Sequence, residues 1–311
     1  MKKNLIIIFF TIIFCSSASA DKLLKNGFIN GNMNYAELQE VSDPKNKIIL
    51  IYNHGQDTHD AASKNCLWKN GVRNMASLVG EKVNEKEIMV YIFCTNHLAE
   101  DDWKRLWKKK KFKPPYKGVT KLEKRLNANL EFIDKFVSMG IPNKQIIIMG
   151  QSCGGWMSLM LASRYLEKIG GVITTMPACY GEITRDFKVK KRGIEKALEK
   201  FRKKEGDGPA DLREKQINEI KQSNNLPVLV FTHPMDPYEG LLSDWVEEIP
   251  GVKRIIISQD KKIDGKKCNR IGINNGERWK EPVKNYHDMD MTDCFQYYNS
   301  TIKDYIASRI N

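Results

Sequence analysis

The sequence predicts an α/β protein with a mainly parallel sheet covered by helices on both faces. Three observations carry that reading. Short apolar, β-rich runs recur along the chain, stretches with helical spacing separate them, and one junction passes from strand to helix through a glycine-flanked turn. At 311 residues, 41% of them hydrophobic, the chain is long enough for one large domain. A chain of this size buries roughly three quarters of its unfolded surface.

The strands are the most legible elements. In order they are KIILIYN (47–53), EIMVYIFC (87–94), QIIIMG (145–150), GVITTMP (171–177), PVLVFTH (227–233) and KRIIIS (253–258). Near-continuous apolar runs of this length suit strands buried on both faces. Helices are expected between them. Over 119–140, Leu122, Leu126, Leu130, Ile133 and Val137 form one stripe and Gly140 stops the pattern. Residues 155–170 and 293–310 read as two more helices, the last closing the fold.

One stretch breaks this rhythm. Residues 181–226 are very polar and mostly helical in character, and they separate two core strands by far more than the usual connection of about 2–6 residues. They read as a small helical cap inserted into a single domain spanning 21–311. The competing reading is one long surface helix and a loop.

The first 20 residues stand apart. Lys2 and Lys3 precede a ten-residue apolar run, Leu5 to Phe14, and then CSSASA, with Ala18 and Ala20 at small-residue cleavage positions. This is the pattern of a secretory signal peptide cut after Ala20; a spanning helix needs about 20 apolar residues. Export to a periplasm or to the medium follows. Six cysteines remain after cleavage, and an even number in an exported chain suggests disulfides. Order along the chain suggests Cys66–Cys94 and Cys268–Cys294. No cysteine or histidine grouping has metal spacing, so neither a metal nor an organic cofactor is expected.

Net charge is +13, falling to +11 without Lys2 and Lys3. The basic residues gather in WKRLWKKKKFKPPYK (103–117) and KVKKRGIEKALEKFRKK (188–204). Such runs suit contact with anionic surfaces, or are simply a solvated lysine-rich face. No nucleic-acid-binding module is recognisable, and no nucleic-acid partner is expected.

The strand-to-helix junction carries the chemistry. Gly150-Gln151-Ser152-Cys153-Gly154 is a G-x-S-x-G string with a strand before it and a helix after it. In that setting the central residue sits on a tight, strained turn and points outward from the strand end. Glycines two before and two after it let strand and helix pass. The frame centres on Ser152. Centring on Cys153 would place Gln151, with its Cβ, at a flanking site. A thiol enzyme using Cys153 is therefore the weaker reading.

Here the chain resembles the α/β-hydrolase family, in particular its dienelactone-hydrolase-like and esterase-like branches. The resemblance covers roughly residues 45–310 and rests on the elbow, on YNHGQD after the first core strand, on THPMDP after a late strand, and on YHDMD near the C-terminus. It implies a triad in the order nucleophile, acid, histidine. His287 is the one histidine beyond residue 258, and Asp236 follows the strand PVLVFTH, so the implied triad is Ser152, Asp236 and His287. Glu182, Asp186 and Asp264 are weaker candidates for the acid. The resemblance also implies an oxyanion hole from the backbone N–H groups of Gln56 and Cys153, with His54 structural. Since Cys179 follows the next strand, a Cys153–Cys179 bridge is another pairing to test. Trp103, Trp107, Trp156 and Tyr180 are candidates for a pocket lining or for the core.

The expected function is an exported serine hydrolase acting on a small-molecule or polymeric carboxylic ester through an acyl-enzyme. A peptidase or amidase on the same fold, and a catalytically inert binding protein, are the alternatives. Fold and triad do not separate ester from amide chemistry.

Overall fold

The computed structural model describes residues 27–31, 35–36, 41–55, 71–93, 121–257, 262–263, 266–274, 277–282 and 285–311. Its strands are β1 (Gly27–Ile29), β2 (Tyr35–Ala36), β3 (Lys47–Asn53), β4 (Lys82–Val83), β5 (Lys86–Phe93), β6 (Ile146–Gln151), β7 (Gly171–Thr175), β8 (Val228–Thr232), β9 (Val252–Ile256), β10 (Lys262–Ile263), β11 (Lys266–Lys267), β12 (Asn269–Asn274) and β13 (Glu277–Pro282). Its α-helices are α1 (Gly71–Ala76), α2 (Lys121–Ser138), α3 (Cys153–Tyr165), α4 (Ile183–Asp186), α5 (Val189–Arg192), α6 (Ile194–Glu205), α7 (Asp207–Lys221) and α8 (Asn299–Arg309).

The main sheet runs in the order β2-β1-β5-β3-β6-β7-β8-β9, with β4 pairing β5. All six strands read from the apolar runs are present, and from β5 to β9 every pairing is parallel. The short strands β1, β2 and β4 add antiparallel pairings at one side. Side chains alternate across the plane. Ile48, Leu50 and Tyr52 of β3 face one core, against Phe295, Ile302 and Ile306. Ile49 and Ile51 face the other, against α2 and α3. This is the α/β-hydrolase fold.

Helix α2 departs from the expected stripe. Leu122, Leu126 and Ile133 are buried, but Val137 is 37% exposed and Phe136 takes its place in the core. The buried face is thus rotated toward Phe136, and that rotation also buries the polar Arg125 and Asn129. Their partners lie at the end of β3, described below.

Residues 181–226 hold α4 to α7, with an apolar cluster of their own: Ile183, Phe187, Val189, Ala197, Phe201 and Ala210, together with Leu242. They are not a detached flap. Trp156 Nε1 on α3 donates to Gln216 Oε1 on α7 (2.7 Å), and the Tyr180 hydroxyl reaches the same oxygen at 2.6 Å. The amides of Thr184 and Arg185 donate to the carbonyls of Tyr238 and Pro237, both at 2.9 Å. Helix α7 therefore packs on the elbow helix, and α4 joins the loop that follows β8. Trp156, fully buried, is a core residue and not a pocket liner.

Candidate active site

The site assembles at the carboxyl ends of β3, β6, β7 and β8, where a parallel sheet opens to loops and ligands bind. Ser152 occupies the turn between β6 and α3 with φ 55° and ψ −123°. A non-glycine residue there is strained by roughly 1–3 kcal/mol, and such strain persists only where surrounding contacts over-determine it. The flanking glycines show why the turn closes. A Cβ on Gly150 would overlap the Gly154 carbonyl, and one on Gly154 would overlap the Asn53 carbonyl at the end of β3. The Ser152 amide donates to the Thr175 carbonyl (3.0 Å), and the Ser152 carbonyl accepts from Trp156 and Ala178.

Three loops meet here. Asp236 lies after β8, in a turn where its amide donates to the His233 carbonyl and its Oδ1 accepts the Tyr238 amide, both at 2.9 Å. His287 is the second residue of a 3₁₀ segment, Tyr286–Met291, capped by Asn285 Oδ1, which accepts the His287 amide (2.9 Å). The His287 ring lies 3.1 Å from both Asp236 oxygens through Nδ1 and 2.8 Å from Ser152 Oγ through Nε2. All three residues are buried. The Tyr238 ring covers the imidazole, with centroids 4.1 Å apart. Burial opposes charge on His287, but the charge and hydrogen bond of Asp236, helped by Asp288 and Asp290, outweigh it and hold its pKa above the ordinary 6.5.

The other candidates fall elsewhere. Glu182 and Asp186 pair with Arg185 on the insertion. His233 is buried, accepts the Met235 amide through Nδ1 and stacks on Tyr286. His54 holds the Gly55 carbonyl through Nδ1 (2.7 Å). Gln56, Cys66, Cys94, Trp103, Trp107 and Asp264 lie outside the described residues, as does the leader 1–20. Cys153 is bonded to Cys179, and Cys268 to Cys294.

Two groups of residues escaped the sequence reading. Arg125 Nη1 donates to the His54 carbonyl (2.6 Å), and the Asn53 and Asn129 side chains exchange amide hydrogen bonds at 3.0 and 2.9 Å. This buried network anchors the chain where it leaves β3. Asp290, three residues after His287, is also buried: its Oδ2 accepts from Thr175 Oγ1 (2.7 Å), its carbonyl accepts from Asn74, and its Oδ1 has no hydrogen-bond partner among the described residues. Burial raises its pKa to about 7, against the lowering pull of Thr175 and His287. A helical stripe count does not reveal a buried arginine, and nothing in YHDMD separates Asp290 from Asp288.

Comparison with known proteins adds to this geometry. Residues 114–202 match the model of the phospholipase/carboxylesterase family. No curated protein matches the chain by sequence. Among solved structures, an esterase of the fungus Rhizomucor miehei is 14% identical and aligns over 92% of this chain and 83% of its own, with a TM-score of 0.49. The esterase of the archaeon Pyrobaculum calidifontis is 16% identical over 91% and 85%, with a TM-score of 0.48. EstE1, a thermostable carboxylesterase from a metagenomic library, is 12% identical over 92% and 89%, with a TM-score of 0.49. The sheet order and the strained turn at Ser152 are those of the α/β-hydrolase fold, and residues 114–202 are similar to phospholipases and carboxylesterases.

Proposed function

We propose that the protein is an exported serine hydrolase that cleaves carboxylic esters through an acyl-enzyme. The observation that carries the proposal is the unbroken hydrogen-bond chain from Ser152 Oγ through the His287 ring to Asp236. In the neutral tautomer, His287 Nδ1–H donates to Asp236 and Nε2 accepts from the serine hydroxyl. Ser152 Oγ attacks the ester carbonyl carbon while its proton passes to Nε2. Asp236 holds the tautomer and stabilises the imidazolium without taking the proton itself. Collapse of the tetrahedral intermediate breaks the bond to the alcohol, which leaves with the proton from Nε2. Water then gives its proton to His287, attacks the acyl carbon and releases the acid, and Oγ recovers its proton.

The Cys153 amide, in the first turn of α3, stabilises the developing oxyanion, with Gln56 as the second donor. Losing one such donor typically costs roughly 2.7–4 kcal/mol. Export follows from the leader and agrees with two disulfides in the mature chain. Residues 21–311 form one catalytic domain, with α4 to α7 as a fixed cap.

The test is hydrolysis of a p-nitrophenyl ester series by the mature protein and by Ser152→Ala, beside fluorophosphonate labelling. Turnover should fall by a factor on the order of 10⁶ in the variant, and the label should map to Ser152. Equal turnover in both proteins would sink the serine assignment. An unlabelled, inactive wild type would sink the hydrolase reading.

A further inference from the structure

The Cys153–Cys179 bond joins two segments that both hold strained backbone. On one side, Cys153 directly follows Ser152, whose φ is 55°. On the other, Cys179 closes a short loop after β7 that begins at Met176, with φ 45°. Between them Ala178 grips the serine twice. Its amide donates to the Ser152 carbonyl at 3.2 Å, and its carbonyl lies 3.3 Å from Ser152 Oγ. Strained positions need neighbours that over-determine them, and here the neighbouring covalent tie is the disulfide.

The two bonds of the described chain differ in access. Cys268 and Cys294 are 2% and 3% exposed. Cys153 is equally buried at 1%, but Cys179 is only partly buried, at the edge of the core. Exchange begins with attack of a thiolate on a disulfide sulfur, and access limits it. A reductant therefore reaches Cys153–Cys179 first.

We propose that Cys153–Cys179 is a redox-sensitive tie that positions the nucleophile and its adjacent oxyanion donor, so that turnover depends on its oxidised state. The inference rests on the reading of Ser152 as nucleophile. The reduction balances simply. A dithiothreitol thiolate attacks Cys179 Sγ and Cys153 leaves as thiolate. The second dithiothreitol thiol then resolves the mixed disulfide. The protein gains two electrons and two protons, and dithiothreitol becomes its cyclic disulfide.

The experiment titrates the mature wild type with dithiothreitol. Thiols are trapped with iodoacetamide and located by peptide mass, and p-nitrophenyl butyrate kinetics are read at each point. Expected are alkylation of Cys153 and Cys179 before Cys268 and Cys294, a fall in kcat of tenfold or more in step with it, KM within twofold, and recovery on reoxidation with oxidised glutathione. Binding of a trifluoromethyl ketone, which probes the oxyanion donors, should weaken in parallel; loosened packing remote from the serine would not move it. Cys179→Ala should show the lowered kcat and no further response to reductant. If that variant fails to fold, the wild-type titration decides. Full kcat with the bond open, or wild-type kcat in folded Cys179→Ala, overturns the inference and leaves the serine-hydrolase reading standing. An unreduced wild type with neither turnover nor fluorophosphonate label overturns both.

Discussion

Replacing Arg213 with Met should cost this protein a large share of its stability. Arg213, on α7, makes a bidentate contact with Glu239, Nε to Oε1 at 2.9 Å and Nη2 to Oε2 at 2.5 Å. Their side chains are 8% and 1% exposed, so water screens the pair little. Glu239 sits three residues after Asp236, and the guanidinium lies 5.9 Å from the Trp156 ring centroid. Arg213→Met leaves the Glu239 carboxylate buried without its partner, which costs about 3–5 kcal/mol. At about 2–4 °C per kcal/mol for domains of slightly smaller size, Tm should drop by about 6–20 °C. Arg213→Met/Glu239→Leu removes both charges and should return to within about 1–2 kcal/mol of wild type. Urea unfolding of the four proteins closes the double-mutant cycle, and ester kinetics at 25 °C follow the acid loop. The single variant should lose kcat/KM as that loop shifts. If it lies within about 1 kcal/mol of wild type, the carboxylate must be reaching water, α7 must lift from the acid loop, and a fixed cap is the wrong description.

Three further predictions concern the site and its approach. His287 must be neutral to accept the serine proton, so kcat/KM should fall as pH drops through a midpoint above 6.5, the direction in which Asp236, Asp288 and Asp290 push it against burial; a midpoint below 6.5 refutes the assignment. Asp290→Asn, which removes one carboxylate facing His287, Tyr52 and Asp288, should move that limb down in pH. Asp290 has a folded pKa of about 7 against an ordinary 3.8, so its contribution to stability is whole below pH 4 and is lost as pH rises through 7. The asparagine variant should therefore gain on wild type by up to about 4 kcal/mol between pH 4 and 8.5, read by urea unfolding. Lys190, Lys191, Lys196, Lys200 and Lys203 are exposed on the insertion; if this face contacts anionic surfaces, the wild type should bind anionic vesicles in a salt-sensitive way and the Lys→Glu variant should not, with p-nitrophenyl butyrate turnover unchanged, whereas equal binding of the two proteins makes it a solvated face.

What the sequence disclosed and what it hid follow from how each feature is encoded. β3, β6, β7 and β8 are buried on both faces and β5 nearly so, and their composition alone marks them, whereas β9 closes the sheet edge only partly buried, with Ile256 53% exposed. Gly150 and Gly154 stand where a Cβ has no room, which makes the elbow legible as a string. Asp236 and His287 could be nominated because chain order restricts them and histidine is scarce. The short strands β1, β2 and β4 have too few residues to show a period. Arg125 and Asn129 lie on the buried side of α2 because Asn53 and the His54 carbonyl accept them there, and a stripe drawn through apolar residues alone lands on Val137 instead. The tie between Arg213 and Glu239 spans 26 residues and two elements, and no local pattern foretells it.

His287 sits 51 residues beyond Asp236, in a stretch that includes the β12–β13 hairpin, yet its ring must stay within 2.8 Å of Ser152. A long excursion does not hold that distance by itself. The Cys268–Cys294 bond closes 26 residues around His287, and both of its cysteines are buried in the core below. The Asn269 amide also donates to Asp293 at 2.9 Å, next to that bond. By the chain-entropy estimate a loop of this length is worth about 3–4 kcal/mol, interpolated between about 3 for 15 residues and about 4.7 for 100. Cys268→Ala/Cys294→Ala should lower stability by about that amount; Cys153–Cys179 also closes 26 residues, so opening it with reductant should cost a similar entropic amount, and the double variant adds only its two small voids. Its kcat should fall while the midpoint of its pH limb holds, since Asp236, Asp288 and Asp290 still face the imidazole in the molecules that close. If the double variant keeps wild-type stability and kcat, the hairpin packing alone holds His287, and the second bond has no part in setting the site.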